Sequence, residues 1–282
     1  MILKSYAKIN LGLHVLNKRA DGYHNIETVF AEISLHDTIR LSPCATIRVR
    51  TNNPDIPCGP DNIAYKAALL VQEAYGVKKG VSIHITKRVP HGAGLGGGSS
   101  NAAAVVKGLI DFWDLAEKPL TARSILRQLG SDVPFFNKGG FALATGRGEK
   151  LRPLPPLPSH WIVLVHPAVH IATPAAYRML KRRLTPANKK CNLYFNYLDC
   201  AAGRTSAAVL LQNDFEGPVF RKYPRVAAIK NMFRRFNPVG ALLTGSGSTV
   251  YALFSGKQDA HAAAEYFIKQ KQRVTMARFT HA

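Results

Sequence analysis

Acidic side chains are scarce in this chain: 17 Asp and Glu stand against 38 Lys and Arg, a formal charge of +21. Such a balance attracts anions, whether nucleotides, phosphates or nucleic acid. The basic residues are spread along the chain, as a general basic bias would also leave them. Their densest run, Arg178 to Lys190, lacks the interleaved aromatics of a single-strand binder. No apolar run approaches the roughly 20 residues of a membrane span. The opening Met1–Tyr6 does not read as a secretory leader, so a cytosolic protein is expected. Cys44, Cys58, Cys191 and Cys200 lie far apart, with no C-x-x-C pair to hold zinc, and read as reduced thiols. Internal repeats and low-complexity tracts are also missing.

What is present is enough apolar residue, 46%, to build a full core in 282 residues. Ile9, Leu11, Leu13 and Val15 alternate with Lys8, Asn10, Gly12 and His14, the period of a strand with one greasy and one polar face. Lys8 and Asn10 then point the same way. Asp61 is placed to cap a helix with a stripe of Ile63, Ala67, Leu70 and Ala74, ended by Gly76. Val81, Ile83 and Ile85 alternate as a second strand. A helix is expected over Asn101–Leu115, with Ala102, Val105, Val106, Leu109 and Trp113 on its inner face. The prolines of Arg152–Ser159 read as a linker that interrupts any element. Trp161–Val165 reads as a strand, Pro218–Phe236 and Asp259–Lys269 as helices, and Ala241–Phe254 as strand, glycine turn, strand. Interleaved strands and helices with a boundary near residue 155 predict two α+β domains, 1–155 and 156–282.

The strongest local signal lies between the second strand and the Asn101 helix: Pro90, His91, Gly92, Ala93, Gly94, Leu95, Gly96, Gly97, Gly98, Ser99, Ser100. Glycines let backbone N–H groups approach a ligand, and the helix that follows adds its free N–H groups and positive dipole end. The product is a phosphate cradle. Either Ser99 or Ser100 could reach a magnesium ion. No Lys-Ser or Lys-Thr follows the glycines, which excludes a Walker P-loop. The loop is too long for a dinucleotide fingerprint, and no βαβ unit opens the chain.

This loop resembles the second signature motif of the GHMP kinases, and Leu243–Ser248, LTGSGS, resembles their third. Ala7–Leu11, Arg19–His24 and Gly130–Phe136 are similar to the branch of that superfamily whose acceptor is a cytidylylated methylerythritol, an intermediate of the non-mevalonate route to isoprenoids. The resemblance runs in order from about residue 5 to 254. It implies a two-domain α+β fold, the N-terminal domain like domain 2 of ribosomal protein S5 and the C-terminal one ferredoxin-like, with the active site in the cleft between them. It implies transfer of the ATP γ-phosphate, with Mg2+, to the acceptor's 2-hydroxyl. Lys8 and Asp132 match the catalytic lysine and aspartate. The aspartate would serve as base or as positioning group, and the lysine would hold it ionised and steady phosphoryl charge. Tyr23 and His24 match the cytidine-binding pair, and Tyr177 an aromatic on the opposite side of the base. Asn10, Thr173 and Gly245 match substrate-contacting positions, and Lys87 and Asn62 positions near adenine and ribose. Partners beyond the small-molecule substrate are not expected: no nucleic acid, no membrane, no obligate protein. Two rivals remain. A homoserine or mevalonate kinase would have no base to stack on Tyr23. A nucleic-acid binder would explain +21 but leave the glycine loop, Lys8 and Asp132 without a task.

Overall fold

The computed structural model describes residues 1–116, 118–180 and 192–280. Cys191 and most of the basic run after Arg178 lie outside the described residues. In chain order the first elements are β1 (Ile2–Lys18), β2 (His24–Cys44), β3 (Arg48–Thr51), α1 (Ile63–Tyr75), β4 (Gly80–Thr86) and α2 (Gly97–Phe112). Then follow α3 (Pro119–Leu129), α4 (Phe135–Lys138), β5 (Phe141–Gly146), β6 (Lys150–Pro153), β7 (Trp161–His166), α5 (Thr173–Met179), α6 (Leu193–Ala201) and β8 (Gln212–Asn213). The last are α7 (Glu216–Lys222), α8 (Pro224–Phe233), β9 (Gly240–Leu243), β10 (Val250–Phe254), α9 (Lys257–Lys269) and β11 (Arg273–Arg278).

The chain forms two compact units, but it does not cross once near residue 155. The first unit comprises 1–7, 36–91 and 96–139; the second comprises 8–35, 92–95 and 140–282. The long strands β1 and β2 and the glycine loop each run through both.

In the first unit, β4 pairs antiparallel with the end of β2 and parallel with β3. Its apolar core joins Ile39, Leu41, Ile83 and Ile85 to the inner faces of α1 and α2. The expected α2 stripe is buried, from Ala102 through Leu109, and Trp113 follows as its C-cap. The helix starts four residues earlier than expected, at Gly97, inside the glycine loop. Around α1 two details differ. Asn62, not Asp61, is the cap, its side chain accepting from the Ala64 N–H at 2.8 Å. The buried stripe is Ala64, Ala67, Ala68 and Val71, while Ala74 is exposed. Small alanines let α1 pack tightly, and packing outvotes the bulk of Ile63 and Leu70. Gly76 ends the helix as expected, with φ of 67°.

In the second unit, β11, β7, β10 and β9 lie side by side in that order, every neighbour antiparallel. Numbered by appearance this is 4-1-3-2, with helices before the second strand and after the third. That is the ferredoxin-like arrangement expected. Its core centres on Phe233, Phe254 and Phe267. The same unit holds the β2–β5–β6 ladder. Here Pro153 belongs to a strand after all: on β6 it pairs with Ala142 of β5, among the described residues β6 has no other neighbour, and an edge position does not need the N–H that proline lacks. The single helix expected over Pro218–Phe236 is two. Tyr223 takes φ −127° and ψ 75°, because Pro224 crowds the residue before it out of the α region.

His166, at the end of β7, is buried, with Nδ1 3.0 Å from Thr249 Oγ1 and Nε2 3.0 Å from Thr275 Oγ1. Burial, with a smaller push from Arg273, lowers its pKa from 6.5 to about 4. The folded form therefore binds fewer protons than the unfolded one between these values. Stability from this group is complete above pH 6.5 and is lost as pH falls towards 4, by about 3 kcal/mol in all. Urea unfolding at pH 7, 5.5 and 4.5 reads this loss. A His166→Gln variant, which keeps hydrogen-bonding atoms but cannot titrate, should show a shallower acid decline.

Candidate active site

Three sequence segments that lie far apart in the chain meet in the second unit. The Lys8 N–H donates to Leu95 O at 3.0 Å. The Asn10 N–H donates to Thr244 Oγ1 at 3.2 Å, and that hydroxyl lies 3.3 Å from Gly94 O. Gly94 has φ of 78°, and a Cβ there would collide with the Thr244 carbonyl oxygen. Gly245, with φ of 56°, faces the Gly94 backbone in turn. Glycine is required at both positions because two backbones touch.

Lys8 is not a snorkelling surface lysine, since it is only 4% exposed. Nor is the polar face of β1 solvated: Lys8, Asn10 and Gly12 are buried like their apolar neighbours. The Lys8 ammonium donates to Asn10 Oδ1 at 2.7 Å and lies 4.8 Å from the centre of the Phe30 ring. Asn10 Nδ2 donates to Thr28 Oγ1 at 2.8 Å, and Tyr251 OH donates to Asn10 O at 2.8 Å. A buried cation is thus held in one place by strand-borne partners.

The third-motif turn is held from several sides. Asn213 Nδ2 donates to both Leu243 O and Gly245 O, at 2.7 and 2.9 Å. Thr173, at the start of α5, pairs its hydroxyl with Ser246 Oγ at 3.1 Å. Tyr23 is 57% exposed, and Arg147 covers its ring at 5.0 Å. The ring that stacks on Tyr177 is His24, at 5.1 Å and 21°. Tyr177 also meets Phe215 edge-on. His24 and Tyr177 are in direct contact. Burial and the nearby Lys18 charge lower the His24 pKa, which keeps its imidazole neutral at pH 7.

The first unit carries the remaining expected residues. Asp132 is half-buried in the turn between α3 and α4, where its carbonyl accepts from the Phe135 N–H at 3.2 Å. The αL residue Gly96 opens α2 with no side-chain cap, which leaves its first N–H groups to other partners. Ser99 is half-buried in that first turn. Ser100 is buried and accepts from Ser5 Oγ at 2.7 Å, and Ser5 accepts in turn from Asn101 Nδ2 at 2.9 Å. Lys87 turns its ammonium to Asp37 and, at 3.1 Å, to Asn101 Oδ1. Asp37 is fully buried and also accepts from the N–H groups of Arg88 and Val89, at 2.7 and 2.8 Å, and from Asn101 Nδ2 at 2.9 Å. Asn62 spends its side chain on Ala64 N and Pro57 O.

Sequence reasoning missed Asp37, Thr28, Arg147, Asn213 and Thr244 as supporting residues. Only Thr244 carried a signal, as part of LTGSGS. Among the described residues no cluster of three His, Cys, Asp or Glu could hold a metal, and no helix is long and apolar enough to cross a membrane.

Residues 62–140 match the family described as GHMP kinases N terminal domain, and residues 202–272 match GHMP kinases C terminal. A 4-diphosphocytidyl-2-C-methyl-D-erythritol kinase of Chlorobium chlorochromatii is 41% identical, over 99% of this chain and 97% of the relative. A crystal structure of 4-(cytidine 5'-diphospho)-2C-methyl-D-erythritol kinase superposes with a TM-score of 0.83 at 36% identity, covering 99% of this chain and 98% of the other. A homoserine kinase from Cytophaga hutchinsonii shares the fold, with a TM-score of 0.75 at 18% identity over 99% and 94% of the two chains. With both family domains matched and a relative so similar over nearly its full length, the chain belongs to the GHMP kinase family.

Proposed function

We propose that this protein transfers the γ-phosphate of ATP to the 2-hydroxyl of 4-diphosphocytidyl-2-C-methyl-D-erythritol. The observation that carries the reading is the meeting of three motifs, where the Lys8 N–H bonds Leu95 O and Thr244 Oγ1 lies between the Asn10 N–H and Gly94 O, in a chain whose Tyr23–His24 segment suits a cytidine. A loose phosphoryl transition state asks the protein chiefly for positioning and charge. Lys8 supplies a fixed positive charge for the transferring group. Asp132 orients the acceptor hydroxyl and takes its proton. The uncapped start of α2 and the glycines from Gly92 to Gly98 bind phosphate oxygens through N–H groups. Lys87 and Asn62 shape the nucleoside end through their backbone and stems, since their polar ends are occupied. Pro90, Ala93 and Leu95 hold the loop's path. Asn10, Thr173 and Gly245 contact the acceptor.

Magnesium, when bound, would offset the charge of the phosphate oxygens. Ser99 fits it better than Ser100, whose oxygen is already engaged from the interior. A hydroxyl in the first turn of α2 is an oxygen ligand of the kind magnesium takes alongside phosphates and water.

The cytidine is held by Tyr23, His24 and Tyr177, with the neutral imidazole free to donate or accept at the base edge. Arg147 beside Tyr23 is suited to the acceptor's diphosphate. Binding of this remote nucleotide positions the distant hydroxyl. Tyr23→Ala should therefore raise the acceptor KM by roughly tenfold or more while kcat is retained, as expected for loss of one stacked base. An unchanged KM would remove Tyr23 from the site. The reading as a whole is tested by ADP release with the cytidylylated compound, mevalonate and homoserine as acceptors. Release with mevalonate or homoserine alone would keep the kinase and discard the cytidine pocket.

A further inference from the structure

The second unit contains a cavity of about 550 Å3 that no step of phosphoryl transfer uses. Its volume is within the range of small-molecule sites. One stripe of α8 faces it, with Arg225, Ile229 and Met232 at i, i+4 and i+7. Phe267 of α9 completes an apolar floor. Lys271 and Arg273 join Arg225 at the rim, and among the described residues no Asp or Glu lines the cavity.

Lys271 is unusual by its backbone. It follows α9 with φ of 56°, its N–H bonded to Ile268 O at 2.8 Å and the next N–H to Phe267 O at 3.0 Å. This is the left-handed position after a helix where glycine is the usual residue. A lysine there strains the backbone and places an ammonium at the cavity. A local rule broken without local gain is a signature of a functional position.

The cavity wall also touches the third motif. His166 bonds Thr249, and Ser248 Oγ donates to Val169 O at 2.5 Å; His166 and Val169 both line the cavity. An occupant would press on the residues that hold the Gly245–Ser248 turn.

We propose that this cavity binds a small amphiphile with a phosphate or diphosphate head and an aliphatic body, and that occupancy is coupled to the third-motif turn. The Arg225 guanidinium fork and the Lys271 ammonium suit phosphate oxygens, and the floor of Ile229, Met232 and Phe267 suits a flexible hydrocarbon.

The test is calorimetry on the whole protein with octyl phosphate below its micelle concentration, against inorganic phosphate and octanol. Octyl phosphate should bind one per chain, at least tenfold more tightly than either. Lys271→Gly should weaken binding about tenfold while raising Tm by about 2 °C, because glycine relieves the backbone. A residue with a purely structural role would not pair higher stability with lost binding. Arg225→Ala should weaken binding similarly. No binding, equal affinity for inorganic phosphate, or unchanged affinity in both variants overturns the site. Kinase KM and kcat that do not change at saturating octyl phosphate overturn the coupling.

Discussion

Replacing Asp132 by Asn should lower kcat by about 10²–10⁴-fold, the range of a lost proton-transfer group, while the acceptor KM stays within about threefold. The substitution preserves size. The turn that carries Asp132 is anchored by other atoms: its own carbonyl to Phe135 N–H, and the buried Val133 and Phe135 side chains beneath. Steady-state kinetics with calorimetric binding of the acceptor separates the two effects. Normal turnover, or binding lost along with turnover, would sink the assigned role.

The second large effect is one of stability. Asp37 is fully buried and collects the Lys87 ammonium, two consecutive backbone N–H groups and the Asn101 amide. Asp37→Ala leaves a buried ammonium uncompensated and two amides without an acceptor. The expected cost is about 3–5 kcal/mol, read as a fall in the urea midpoint at unchanged slope. Asp37→Asn is the gentler test. Its oxygen still serves Arg88 and Val89, but its NH₂ then faces two donors. Because Arg88 and Val89 lead directly into Pro90 and the glycine loop, this variant should raise the KM for ATP about tenfold and leave that for the acceptor unchanged. A midpoint unmoved in Asp37→Ala, or both KM values rising together in Asp37→Asn, would refute this account.

Why was Lys8 legible and Asp37 not? Lys8, Asn10, the glycine loop and LTGSGS are short contiguous patterns, and chemistry that needs neighbouring residues leaves its spacing in the sequence. Asp37 works through partners 50, 51, 52 and 64 positions away. Nothing in SLHDTIR marks it. Arg147 and Asn213 are silent for the same reason. The α1 stripe was misplaced because alanine has too little bulk to advertise a packed face. The strand character of Pro153 was missed because an edge position removes the usual objection to proline.

By itself, then, the sequence determined the classes of element and the family, and singled out the glycine loop, Lys8 and Asp132 as candidates, because periodicity and turn chemistry are local properties. Only the tertiary structure decided that the units share β1, β2 and the glycine loop, that Tyr177 stacks on His24, and that the Lys87 ammonium is committed to Asp37. These depend on long-range packing, where the burial of one charge or ring is settled by whichever distant partner satisfies it.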